Sequence, residues 1–451
     1  MEKEEFIKEF SRKIVNNETS LFLGAGFSIN SNMPSWRQLM EPCADALHIT
    51  LNDESDFAQI AQYYETRRGR SQLVAEITSK INKNATSRKE LTELLTLDFH
   101  SIWTTNFDNI IENSLNSQNI SCNVISTDES LSNYSSSEKI NLYKCGGDIA
   151  NARSLFLTKT DYEDYANSRK TIMSFLLREL ILYNFLFVGY SFKDLLVKQQ
   201  LRNVKSILKE SAKKHYAIIF KNDLQDFNYY IEDLERNYNL NVITVKNEKE
   251  FFDIINGLIR EVRDHYVFIS GSLHSSKSNE TNYLSLFCKE LSEKLLDNGY
   301  CIVSSAGKNI GNYICGAALR YLRANHIKNT NKKLMIEPLP QTNNLDELHL
   351  YRKNLIKKCG SVIFISGSKI PPQTETRSSL GTYHEYKLAE ELNLRLIPVP
   401  FSSYTALKIY KELIKNGNLQ LKKFDFTVEK KFDLSSIDKT VNTILSILLE
   451  K

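Results

Sequence analysis

Short apolar runs separated by helical stretches recur along the whole chain, and this alternation constrains the fold more than any other feature. Residues 21–23, 101–105, 185–189, 215–220 and 241–245 form a first series. A second opens with YVFISGS at 266–272 and continues through 301–307, 333–339, 361–367 and 394–400. Runs that are apolar throughout, rather than alternating, suit strands covered on both faces, and the helical stretches between them suit crossovers. The pattern predicts an α/β fold of two doubly wound parallel-sheet (Rossmann-like) domains. A chain of 451 residues is also too long for one ordinary core. The second series starts after a helical pattern at 251–263, so the domains are expected at 1–262 and 263–451.

Composition narrows the function classes. The net charge is only +4, with Lys and Arg scattered, which gives no basis for nucleic-acid binding. No stretch approaches the roughly 18 apolar residues of a membrane span. The opening MEKEEFIKEFSRK has no apolar signal region, so a cytoplasmic location is expected. Seven cysteines stand at 43, 122, 145, 288, 301, 315 and 359, none in a CxxC pair, so neither a disulfide framework nor a metal module is expected.

The first series carries a constellation at its strand ends. Gly24-Ala25-Gly26-Phe27-Ser28 follows the first run, with Trp36 shortly after. Thr105-Asn106-Phe107-Asp108 closes the second run. Lys144-Cys145-Gly146-Gly147-Asp148 follows, and Gly189-Tyr190-Ser191 with Asp194 closes a further run. Ligand groups in open α/β sheets gather at strand C-termini, and a glycine turn there suits a phosphate. Together these segments resemble the sirtuin-like superfamily across roughly residues 15–250. The resemblance implies an NAD site in which Gly24, Ala25, Gly26 and Ser28 meet phosphate and ribose. Trp36, Thr105, Gly189, Ser191 and Asp194 belong to the same binding set, and Asn106 and Asp108 stand at the nicotinamide-ribose end. Their chemistry suits those places: Asn can orient a hydroxyl or the departing base, and Asp can stabilise positive charge on the ribose.

Two departures matter. The family's KxHG histidine, expected as general base, aligns with Gly146, and losing such a base commonly removes about two to four orders of magnitude in rate. The chain is therefore expected to be an impaired or inactive form, and Gly146→His is expected to raise the rate about a hundredfold or more. Strand alternation directs the neighbouring Cys145 elsewhere, so it is not expected to substitute. The paired-cysteine zinc module of deacylase sirtuins is missing, which favours NAD hydrolysis over deacylation.

The second series has its own turns: Gly271-Ser272 after the first run, Gly307 to Gly311 opening a helix, Arg352-Lys353, then Ser366-Gly367-Ser368-Lys369 and Ser378-Ser379-Leu380-Gly381-Thr382-Tyr383-His384-Glu385. The last segment resembles the PGGxGTxxE signature of LOG enzymes, with Ser378 and Ser379 in place of two glycines. The loss points to a SLOG sensor rather than to a LOG-type nucleotide N-glycosidase using Arg352 and Glu385. Sirtuin-like followed by SLOG resembles the effector family of the bacterial Thoeris anti-phage system. That resemblance implies NAD hydrolysis to ADP-ribose and nicotinamide, switched on by a cyclic ADP-ribose isomer from a TIR-domain partner. Arg352, Lys369 and Glu385 would grip the signal, with Gly271, Ser272, Gly307 and Gly311 nearby. Homotetramers that stack into filaments are also implied. A catalytically silent sensor remains the alternative.

Overall fold

The computed structural model describes residues 1–450 apart from 30–32, 53–54, 83, 135–139, 193–194, 275–277, 328, 370–376, 401–403, 419 and 424–432. The chain divides into two compact units, Met1–Ile259 and Arg260–Lys451. The division falls within the helix Glu248–Asp264.

The first unit is built on seven strands: β1 (Thr19–Leu23), β2 (Ile102–Thr104), β3 (Cys122–Ile125), β4 (Ile140–Lys144), β5 (Asn184–Val188), β6 (His215–Phe220) and β7 (Leu240–Val245). All pair in parallel, in the order β3-β4-β2-β1-β5-β6-β7. The chain adds strands on one side of β1 and then returns to its other side at β5, so the topological switch lies between β1 and β5. Leu23 is level with Thr104 on one side and Val188 on the other, which brings three strand ends to one crevice. Every residue of β1 and β5 is buried, as uniformly apolar runs require. Phe22 packs on Phe187, and Trp103 stacks on Tyr143 at 3.9 Å between ring centroids. At the opposite end of the sheet the buried Glu179 carboxylate accepts from Trp103 Nε1 at 2.9 Å and from Ser20 and Ser101 hydroxyls. Burial pushes its pKa up, and these three donors offset only part of that.

The second unit carries a five-stranded parallel sheet ordered β10-β9-β8-β11-β14. Its strands are β8 (Tyr266–Ser272), β9 (Cys301–Ser304), β10 (Leu334–Ile336), β11 (Ser361–Ser366) and β14 (Arg395–Val399). A short antiparallel pair, β12 (Ser368–Lys369) and β13 (Arg377–Ser378), follows β11. Here the switch lies between β8 and β11. Among the described residues no helix of either unit is long and apolar enough to cross a membrane.

Candidate functional site

The glycines at the first switch point are required by chain packing. Gly24 N–H donates to Val188 O and Gly26 N–H to Gly189 O, both at 2.9 Å. A Cβ on Gly26 would lie 2.8 Å from Gly189 Cα, and Gly189 itself has φ +64°. The turn after β1 thus lies directly on the turn after β5, which only residues without a side chain allow. The N–H groups of Gly24 and Gly26 are spent inside the protein. These two N–H groups are therefore not available to a phosphate, and Gly26→Val would perturb folding as well as any ligand contact.

Beside these turns lies a cavity of about 230 Å³. It brings together Ala25, Ser28, Trp36, Thr105, Asn106 and Gly146 of the residues expected from sequence, and adds Cys145, Phe156, Tyr162 and Tyr165. Asn106 Nδ2 donates to Gly24 O at 3.0 Å and to Ser28 Oγ at 2.8 Å. Ser28 Oγ donates in turn to Asp108 Oδ2 at 2.7 Å. Asp108 Oδ1 accepts from Ile110 N–H, at the start of the helix Ile110–Asn116. Asp108 therefore stands behind Ser28, and its charge reaches the cavity through that hydroxyl. Ser28, Asn106 and Asp108 are all buried.

A buried cation that sequence reasoning passed over fixes this turn. Lys144 Nζ donates to Asp108 O at 2.7 Å, Glu112 Oε1 at 2.7 Å and Asp148 Oδ1 at 2.9 Å. A fully enclosed ammonium is tolerable only with such partners. Its signal was a lysine closing the short run Ile140–Lys144, with an aspartate four residues on.

Gly146 lies against the end of β2. A Cβ there would meet Thr105 O at 2.2 Å. Three backbone bonds hold the turn: Cys145 N–H to Thr104 O at 2.7 Å, Ile149 N–H to Phe107 O at 2.9 Å and Phe156 N–H to Gly146 O at 3.1 Å. A histidine at 146 has no room in this backbone, which removes the simple expectation that Gly146→His restores a base. Cys145 is a second correction: it lines the cavity, because β4 ends at Lys144 and strand alternation does not govern the turn beyond it. Tyr165 Oη donates to Cys145 O at 3.0 Å. Ser191 is exposed, and its carbonyl accepts from Tyr230 Oη at 2.8 Å. Asp194 lies outside the described residues.

The second switch point repeats the packing logic. A Cβ on Gly271 would fall 2.2 Å from Ile365 O, one on Gly307 2.1 Å from Gly271 O, and one on Gly311 2.4 Å from Ala306 C. Ser272 Oγ donates to Ser368 O at 2.9 Å. Arg352, on the helix Leu345–Ile356, meets Glu385, on the helix Leu380–Glu391, with Nε 3.6 Å from Oε1. Both side chains are largely enclosed, at 15% and 6% exposure, so this is no solvated surface pair. Burial pushes the Glu385 carboxyl up, while the Ser270 hydroxyl and Arg352 pull it down. Of Lys369 the structure describes only the backbone, in β12.

Two parallel sheets, each with glycines packed at its switch point and polar groups gathered beside them, define an α/β protein with two doubly wound, Rossmann-like units. Residues 100–243 match the SIR2-like domain family, and residues 250–450 match the Sir2- and TIR-associating SLOG family, STALD. The chain is 28% identical to the NAD(+) hydrolase ThsA of Bacillus cereus (strain MSX-D12), covering 98% of this chain and 97% of that one. It is 28% identical to the ThsA of Enterococcus faecium, with 99% of each chain covered. With the ThsA of Acinetobacter baumannii (strain 532279) it shares 26% identity over 91% of this chain and 90% of that one. Over nearly its whole length the chain is therefore similar to the ThsA proteins, with a region matching the SIR2-like family followed by one matching the STALD family.

Proposed function

We propose that this protein is an anti-phage defence effector that hydrolyses NAD+ to ADP-ribose and nicotinamide, gated by a cyclic ADP-ribose isomer at its STALD domain. The observation that carries the reading is the Asn106–Ser28–Asp108 chain beside the 230 Å³ cavity, in a protein similar over its whole length to NAD(+) hydrolases. Cleavage breaks the bond between nicotinamide and the ribose carbon and leaves positive charge on the ribose. Asp108, acting through the Ser28 hydroxyl, stabilises that charge, and Asn106 orients the ribose or the departing base. Water captures the ribose carbon and gives up a proton.

Among the described residues no histidine lines the cavity. Without one, the proton step runs about two to four orders of magnitude below a base-equipped site. The chain is accordingly an impaired hydrolase. A TIR-domain partner supplies the signal, Arg352, Lys369 and Glu385 read it, and the working form is a cytoplasmic homo-oligomer.

One observation favours a second reading, a silent sensor: the turn at 146 is packed against Thr105 in a way that a histidine does not fit. The test is nicotinamide release from NAD+ by the purified chain, with and without cyclic ADP-ribose isomers, against Asn106→Ala. Signal-dependent release above that variant supports the effector. Equal traces leave the sensor, and free base released from nucleoside monophosphates identifies an N-glycosidase.

A further inference from the structure

Arg352 belongs to a longer chain of groups than the ion pair alone. Its Nη1 lies 3.3 Å from His384 Nδ1, and His384 Nε2 lies 3.0 Å from His349 Nδ1. The two rings are 5.2 Å apart between centroids and inclined by 30°. A guanidinium has donors only, so His384 Nδ1 must be the acceptor. The proton of a neutral His384 then sits on Nε2 and is donated to His349 Nδ1, which leaves the His349 proton on its own Nε2. Arginine at one end thus sets the direction of every bond in the row. A proton added to His384 Nδ1 would remove the acceptor and set two cations against each other.

The surroundings disfavour a second proton on His384. Burial, the Arg352 charge and His349 all hold His384 below its ordinary value. The nearby Lys353 is engaged by Glu391 at 2.6 Å, and from the helix Thr405–Lys415 Glu412 is engaged by Lys387 at 2.9 Å. Glu385 holds the guanidinium from the Nε side. At the remaining edge, Nη2 passes Gly381 so closely that a Cβ there would come within 3.2 Å.

We propose that His384, backed by His349, is a positioning residue for the STALD signal site: a neutral histidine pair that holds the Arg352 guanidinium in one orientation against Glu385. The proposal rests on the reading that Arg352 meets a nucleotide diphosphate. An arginine held at Nη1 by His384 and drawn by the Glu385 charge 3.6 Å from Nε loses little rotamer freedom when a diphosphate arrives, so the pair raises affinity through preorganisation.

Two measurements on the full chain test it. Long-range nitrogen–proton correlation spectra of the histidine rings, without ligand, should show the Nε2–H tautomer for both His384 and His349. Calorimetry with cyclic ADP-ribose and ADP-ribose as probes should show binding weakened about tenfold or more in His384→Leu. His384→Asn keeps an acceptor where Nδ1 stood, and should bind within about threefold of the unaltered chain. Melting temperatures of the two variants serve as the folding control. An Nδ1–H tautomer at His384, or Leu and Asn variants that bind alike, overturns the proposal. If neither probe binds the unaltered chain, the nucleotide-signal reading fails instead, and the tautomer measurement still decides the histidine pair.

Discussion

Replacing Gly146 tests whether the backbone of this turn can accept the histidine that the sirtuin-like resemblance leads one to expect there. A Cβ at 146 would sit 2.2 Å from Thr105 O, where real Cβ contacts below 3.0 Å essentially never occur. The two segments must therefore part by about 1 Å. Three backbone bonds, from Cys145, Ile149 and Phe156 N–H groups, resist that movement. Overpacking of this kind costs about 1–3 kcal/mol, and each broken bond adds about 1 kcal/mol. With one bond lost the cost is about 2–4 kcal/mol, and at roughly 2–4 °C per kcal/mol for a domain of this size both Gly146→Ala and Gly146→His should melt about 4–16 °C lower. Thr105 precedes Asn106, so the displacement also disturbs the Asn106–Ser28 bond, and Gly146→His should fall short of the hundredfold gain that a restored base would bring. Thermal melts of both variants, paired with nicotinamide release, give the answer. A Gly146→His protein that melts with the unaltered chain and turns over NAD+ a hundredfold faster would show that the turn yields freely and refute the packing argument.

Asn106→Ala removes the two bonds that tie Ser28 and the Gly24 carbonyl together, and should abolish the remaining nicotinamide release while costing about 1–3 kcal/mol of stability by denaturant titration. Arg352→Ala should shift the midpoint of a signal titration about 30- to 1000-fold, or roughly 2–4 kcal/mol. The same change leaves the Glu385 carboxyl enclosed without its cation, so adding Glu385→Gln should recover part of the lost stability in a melt. His215 is fully buried, accepts from Phe185 N–H through Nδ1, and has its pKa lowered from 6.5 to about 3 by burial. The unfolded chain binds its proton first, so stability is complete above the ordinary value and is lost as pH falls below it, by about 3 kcal/mol near pH 4. His215→Phe should flatten that part of the acid-unfolding profile, and an unchanged slope would remove His215 as the cause.

What could be seen in the sequence follows from what each segment packs against. Strands β1, β5 and β8 were visible because they are covered on both faces and carry unbroken apolar runs. Strand β3 was not: its residues are only partly buried before Ile125, Asn123 stands in its middle, and no run of apolar residues marks it. Asn106, Ser28, Thr105 and Trp36 were legible because they lie at or just after strand ends, where the fold delivers ligand groups. Tyr162 and Tyr165 reach the same cavity from the short helices Lys159–Glu163 and Tyr165–Ser168, and nothing in their own periodicity announces it. Cys145 was misdirected by extending the period of two past Lys144, the last residue of β4. The packing around Gly146 had no local signal at all, because the obstructing atom belongs to Thr105, far away in sequence.

The glycines show where motif reading and packing part company. Gly24, Gly26 and Gly189 in one unit, and Gly271 and Gly307 in the other, stand where two chain segments touch backbone to backbone. A motif built on them therefore reports the switch-point geometry first, and ligand chemistry must be sought in their neighbours. The exchange of motif glycine for Ser379 has a different consequence. Ser379 Oγ accepts from Thr382 N–H at 3.3 Å and caps the helix Leu380–Glu391, which carries both His384 and Glu385. A helix start with glycine in that place keeps its N–H groups open to an anion, whereas here one of them is already satisfied by the protein's own side chain. Under the proposed reading, a ligand at this helix would then be held more by the Arg352 guanidinium and less by the helix terminus. Ser379→Gly, which frees that N–H, should therefore tighten binding of an anionic probe such as ADP-ribose if the terminus contributes, and leave it unchanged if the side chains carry the contact.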